Sequence, residues 1–110
     1  MAYDLFLAER VRSILNSHPD LTEMKMFGGV AFCLRGNMAC GVHDNRLIVR
    51  VGAGRHAAAM AEPYAGPFDI TGRPMAGWVM VGAQGCASPE DLARWAQMGV
   101  DFALTLPPKT

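Results

Sequence analysis

Gly36-Asn37 and Asp44-Asn45 punctuate a stretch of strand-forming residues that runs from Val30 to Val51. Gly followed by Asn suits a two-residue type II′ turn, and both residues of Asp44-Asn45 tolerate the positive φ that hairpin turns ask for. Hairpins in succession make an antiparallel meander. A parallel, doubly wound sheet would need a long crossover between its strands. The spacing predicts strands over Val30 to Arg35, Met38 to His43 and Arg46 to Val51, with a shorter one at Met24 to Phe27 before the Gly28-Gly29 break.

Those turns also set a register. They place Cys33 opposite Cys40, and Cys40 opposite Val49. Side chains alternate along a strand, so Ala31, Cys33, Met38, Cys40, Val42, Leu47, Val49 and Val51 share one face, expected to be the core under the helices. Val30, Phe32, Leu34, Ala39, His43, Arg46, Ile48 and Arg50 share the other. This second face is more apolar than a solvated one. It holds an aromatic residue and arginines but no lysine, as interfaces prefer. Phe32, Leu34, His43, Arg46, Ile48 and Arg50 are therefore a candidate surface for a protein partner, with a second copy of the chain (a homodimer) as the simplest occupant.

Helices flank the meander. Leu7, Val11, Ile14 and Leu15 recur at helical spacing and predict a helix from Tyr3 to about Ser17, ended by His18-Pro19. Ser88-Pro89-Glu90-Asp91 has an N-cap residue, a first-turn proline and two acids, and opens a closing helix with Leu92, Trp95, Ala96, Gly99, Val100 and Ala103 as its buried stripe. Between them lie a short helix over Gly54 to Glu62, a loop to Gly72 and a strand over Ala76 to Val81. The expected fold is α+β, a two-layer sandwich of antiparallel sheet and helices in the order α-β-β-β-β-α-β-α, with residues 1–110 as a single domain.

Composition removes several classes. The chain is 51% hydrophobic and carries zero formal net charge. Phosphate contacts dominate nucleic-acid affinity and call for a basic excess, so no direct specific DNA binding is expected. An odd cysteine count of 3 does not make a secreted disulfide framework. Neither a signal peptide nor a membrane-length apolar run is present, and the expected compartment is the cytoplasm.

The chemistry-bearing motifs resolve mostly into structural roles. Gly52-x-Gly54-x-x-Ala57 has the form of a dinucleotide-binding turn, but it follows a hairpin strand and lacks the later acid. Cys33, Cys40 and His43 suggest a metal site by type only: Cys40 and His43 point to opposite faces of one strand, and zinc needs convergent ligands. His18, His43 and His56 have no accompanying nucleophile or paired acid. No catalytic residue, metal ligand or cofactor site is assigned. Arg73 and Trp78, in Arg73-Pro74-Met75-x-Gly77-Trp78, form a candidate ligand pocket, with core packing at the start of a strand as the competing role.

Met26-Phe27-Gly28-Gly29, the Gly36-Asn37-Met38 turn, Gly72-Arg73-Pro74-Met75-x-Gly77-Trp78, Leu92-x-x-Trp95 and the closing Leu106-Pro107-Pro108-Lys109 occur in that order. The set resembles the N-terminal domain of the TfoX/Sxy family, and its small stand-alone members in particular, from about Phe6 to Lys109. The resemblance implies helices over an antiparallel sheet and an association with transcriptional control of competence genes. It supplies no catalytic residues. Full-length competence regulators of that family carry a second, C-terminal domain that this sequence does not contain. The expected function is a non-enzymatic interaction or regulatory domain, with a small-molecule-binding module at Arg73–Trp78 as the alternative.

Overall fold

The computed structural model describes residues 3–26, 28–69, 72 and 75–108. Helix α1 spans Leu5–Leu15 and starts at Asp4, whose carboxylate accepts the Phe6 and Leu7 N–H groups at 2.9 and 3.1 Å. Four strands follow: β1 Leu21–Met26, β2 Gly29–Leu34, β3 Asn37–His43 and β4 Arg46–Arg50. A 3-10 turn at Ala53–Arg55 runs into the short α2, His56–Met60. Strands β5, Ala65–Pro67, and β6, Trp78–Val81, precede α3, Pro89–Ala103, whose cap is Ser88.

The expected α+β class and element order are observed, with β5 added inside the predicted loop. Ala65-Gly66-Pro67 carries no strand preference of its own. It is recruited by β6, opposite Val81, Met80 and Val79. The six strands lie in the order β1-β2-β3-β4-β6-β5, every neighbouring pair antiparallel.

The β3–β4 hairpin matches the predicted register: His43 faces Arg46 and Cys40 faces Val49, and Asp44 takes φ 57°. The β2–β3 hairpin does not. Its turn is Arg35-Gly36, with φ 52° and 81°, as the two central positions of a type I′ turn require. Leu34 therefore pairs with Asn37 and Cys33 with Met38, and beyond them the register shifts so that Phe32 pairs with Cys40. Ala39 is the extra residue of a β-bulge. Asn37 is taken from the turn by a tertiary demand: it is buried, and its amide donates to the Pro107 carbonyl at 2.9 Å.

This slip reverses β2. Val30, Phe32 and Leu34 lie in the core cluster that also holds residues of all three helices, while Ala31, Cys33 and Met38 lie on the opposite face with Ile48, Phe68 and Met80. Cys33 and Cys40 thus sit on opposite faces of the sheet, contrary to the sequence-based register. At the bulge Ala39 joins Cys40 on the helix side. There α3 seats closely, because a Cβ on Gly99 would overlap the Ala39 carbonyl.

Candidate interaction site

The predicted partner surface does not assemble. Phe32 and Leu34 are 0% and 1% exposed beneath the helices. Ile48 is equally buried, but on the opposite face, where Phe68, Met80 and the half-buried Trp78 pack around it. His43, Arg46 and Arg50 are half-buried, and the His43 Nδ1 is buried without a hydrogen-bond partner among the described residues. The bulge is the physical reason: it moves Phe32 and Leu34 beneath the helices and away from Ile48 and the cations.

The candidate ligand pocket is described only in part, because Arg73 lies outside the described residues. Trp78 stacks with Phe68 at 5.7 Å between ring centres, and the Arg50 guanidinium sits 5.0 Å from the Trp78 centre and 5.3 Å from that of Phe102. Arg50 is thus held between aromatic rings where the sheet meets α3. Beside it is an open cavity of 290 Å³ lined by Val51, Gly52, Gly54, Arg55, Asp101, Phe102 and Thr105.

The glycine motif of the sequence forms one wall of this cavity. Gly52 has φ 85°, and any side chain there would run into the Phe102 ring. Its glycine serves close packing of the chain against α3. His56 orders the same corner by accepting the Gly77 N–H on Nδ1 at 3.0 Å. Arg55 and Asp101 approach to 3.8 Å with both side chains about half exposed, a pair of the kind that contributes about 0–1 kcal/mol.

The cysteines are chemically quiet. Cys33, Cys40 and Cys86 are all buried. Burial pushes the Cys40 thiol up to about 12, with the charge of Cys33 adding to the effect. Burial also raises Cys86, whose thiol lies 3.6 Å from the Gly82 carbonyl. Among the described residues no group of three His, Cys, Asp or Glu side chains converges on a metal position.

A surface that sequence reading missed lies between α1 and the start of α3. Arg10, Ser13, Ile14, Pro89, Leu92 and Ala93 line an open groove of 410 Å³ whose walls are almost wholly apolar. Arg10 joins its two sides, donating to the Ala87 carbonyl at 3.0 Å. One turn earlier on α1, Phe6 is 73% exposed and Leu5 52% exposed, with the Arg10 guanidinium 6.0 Å from the Phe6 ring centre. The available clue was that Leu5 and Phe6 fall outside the Leu7-Val11-Leu15 stripe that buries α1.

A family model, the TfoX N-terminal domain, matches residues 13–103. The chain belongs to this family. The match runs from the last turn of α1 to the final residue of α3, so it takes in every strand of the TfoX N-terminal domain described above. Of the groove, Ser13, Ile14, Pro89, Leu92 and Ala93 fall within the matched span, while Arg10, like the neighbouring Leu5 and Phe6, precedes it. Neither a search of curated proteins nor one of solved structures returned a match. TfoX N-terminal domains are a non-catalytic family. No helix among the described residues of this one is long and apolar enough to cross a membrane.

Proposed function

We propose that this TfoX N-terminal domain is a non-enzymatic interaction module. On this reading it acts in the cytoplasm through protein contacts, has its output in the transcription of competence-type genes, and binds no specific DNA sequence by itself. The observation that carries the reading is the α1–α3 groove with Phe6 and Leu5 exposed beside it. A large aromatic residue next to an apolar, Arg-flanked groove has the composition of an interface centre, and it is costly to leave facing water without a partner.

The test uses a host strain lacking the chain, complemented with wild type or with a folded Phe6→Glu variant. Wild type is expected to restore competence-type transcripts and to capture partners that the variant loses, while purified wild type gives no sequence-specific band shift. Restoration by Phe6→Glu, or transcripts that do not respond to the deletion, would sink the reading.

A second reading, a small-molecule-binding module, is favoured by the Arg50–Trp78–Phe102 stack beside the 290 Å³ cavity. Arg55 is engaged with Asp101 there, and 290 Å³ is small for enclosing a ligand.

A further inference from the structure

The two edges of the sheet are finished differently. At one edge, β5 has three residues and ends in Pro67, which has no N–H to offer a further strand. Short edge strands and prolines are how proteins keep sheets from pairing with other chains. At the other edge, β1 has six residues, pairs with β2 in an unbroken register from Leu21 to Met26, and contains neither proline nor bulge. Its outer side has no neighbouring strand among the described residues. Thr22, Glu23, Met24 and Lys25 are all exposed, Met24 by 55%.

The side chains of β1 are complementary to a second copy of themselves. Glu23 is on the helix side, where Arg12 of α1 donates to its carboxylate from Nε at 2.6 Å and from Nη2 at 2.8 Å. These hydrogen bonds hold the Glu23 carboxyl below its ordinary pKa, so it stays ionised. Lys25 shares that face by alternation, and Met24 lies on the other. If two β1 strands pair antiparallel about a two-fold axis normal to the sheet, facing residues must share a face, so odd positions meet odd positions. A pair centred on Glu23 sets Glu23 against its own copy, and one centred on Lys25 sets lysine against lysine. Like charges directly opposite are unfavourable. Centring on Met24 instead brings each Glu23 opposite Lys25 of the other copy and sets the two exposed methionines face to face.

We infer that β1 is a self-association edge: two copies join their β1 strands antiparallel about Met24, and their two sheets become one continuous sheet. The inference rests on the interaction-module reading and names a second copy of this chain as one partner, at a surface separate from the α1–α3 groove. Main-chain hydrogen bonds supply the attachment, as in other strand additions, and the Glu23–Lys25 pairs set the register.

Sedimentation of the full chain, with circular dichroism to verify folding, decides it. Wild type should be dimeric at high concentration. Lys25→Glu and Glu23→Lys should each be monomeric alone, and an equimolar mixture of the two should recover the dimer, because both cross-strand pairs are then complementary again. Should Glu23→Lys fail to fold for want of its Arg12 contact, Met24→Cys gives a second route: mild oxidation should yield a covalent dimer, since the native cysteines are buried. A wild type that stays monomeric, a Lys25→Glu variant that dimerises as well as wild type, or a Met24→Cys variant that does not cross-link would overturn the inference. A monomeric Lys25→Glu variant that still captures wild-type partners leaves the groove reading standing, so the two can fail separately.

Discussion

The β2–β3 and β3–β4 hairpins share a strand and have turns of similar composition, yet one follows its local sequence and the other does not. In β3–β4 the chain turns at Asp44-Asn45 and the ladder runs on regularly to Cys40 and Val49. In β2–β3 the best local turn, Gly36-Asn37, is passed over for Arg35-Gly36, and a bulge at Ala39 makes up the difference. The difference lies in what each turn is attached to. Asn37 holds the Pro107 carbonyl, and Ala39 receives α3 at Gly99. Tertiary contacts of this kind override turn preference when they bury more than the turn residue gains.

The largest test of that account is at α3, whose docking on β3 fixes the bulge. Trp95 lies one turn before Gly99 on the same helix face and is 1% exposed. Replacing it by Ala should lower stability by about 3–5 kcal/mol, read as a fall in the denaturant midpoint with little change in slope. An unchanged midpoint would mean that α3 does not hold this part of the sheet.

Cys40 gives a pH test of the same face. Cys40 faces the helices beside Val49 and is fully buried, and its thiol has a folded-state pKa near 12, above the ordinary value of 9.0. The unfolded chain then gives up this proton first. The stabilising contribution is complete below pH 9 and is lost as pH rises through 9 towards 12, on the order of a few kcal/mol at the alkaline end. Wild type should lose stability over that window more steeply than Cys40→Ala, in which the group is absent. Parallel alkaline profiles would place Cys40 in contact with water.

How much of this was legible depends on how local each feature is. The buried stripe of α3, from Leu92 through Trp95 and Gly99 to Ala103, follows from helical spacing alone and is found as read. So do the helix boundaries at Ser88 and, within a few residues, at Asp4. The faces of β2 were not legible, because one bulge residue reverses every side chain beyond it and no residue type announces Ala39 as the extra one. β5 was not legible either, since its pairing comes from β6. The groove could have been found: Leu5 and Phe6 are large apolar residues with no place on the stripe that buries α1.

The smallest effect sharpens the comparison most directly, at the turn itself. Arg35 adopts φ 52°, a conformation that costs a side chain with a Cβ roughly 1 kcal/mol and that Asn tolerates well. Asn-Gly is the preferred pair for a type I′ turn. Arg35→Asn should therefore stabilise the protein, by about 0.5–1 kcal/mol if only the turn is affected. The change also removes the ion pair of Arg35 with Asp20, 3.3 Å apart with both side chains about half exposed, a contact that contributes about 0–1 kcal/mol. Measuring Arg35→Asn in an Asp20→Ala background separates the terms, because the ion pair is then absent from both proteins compared. A gain in melting temperature there supports a turn at Arg35-Gly36. If the turn were at Gly36-Asn37, position 35 would be extended strand, where Asn is a poorer residue than Arg, and the same substitution would lower the melting temperature. The sign of this one small shift separates the two registers.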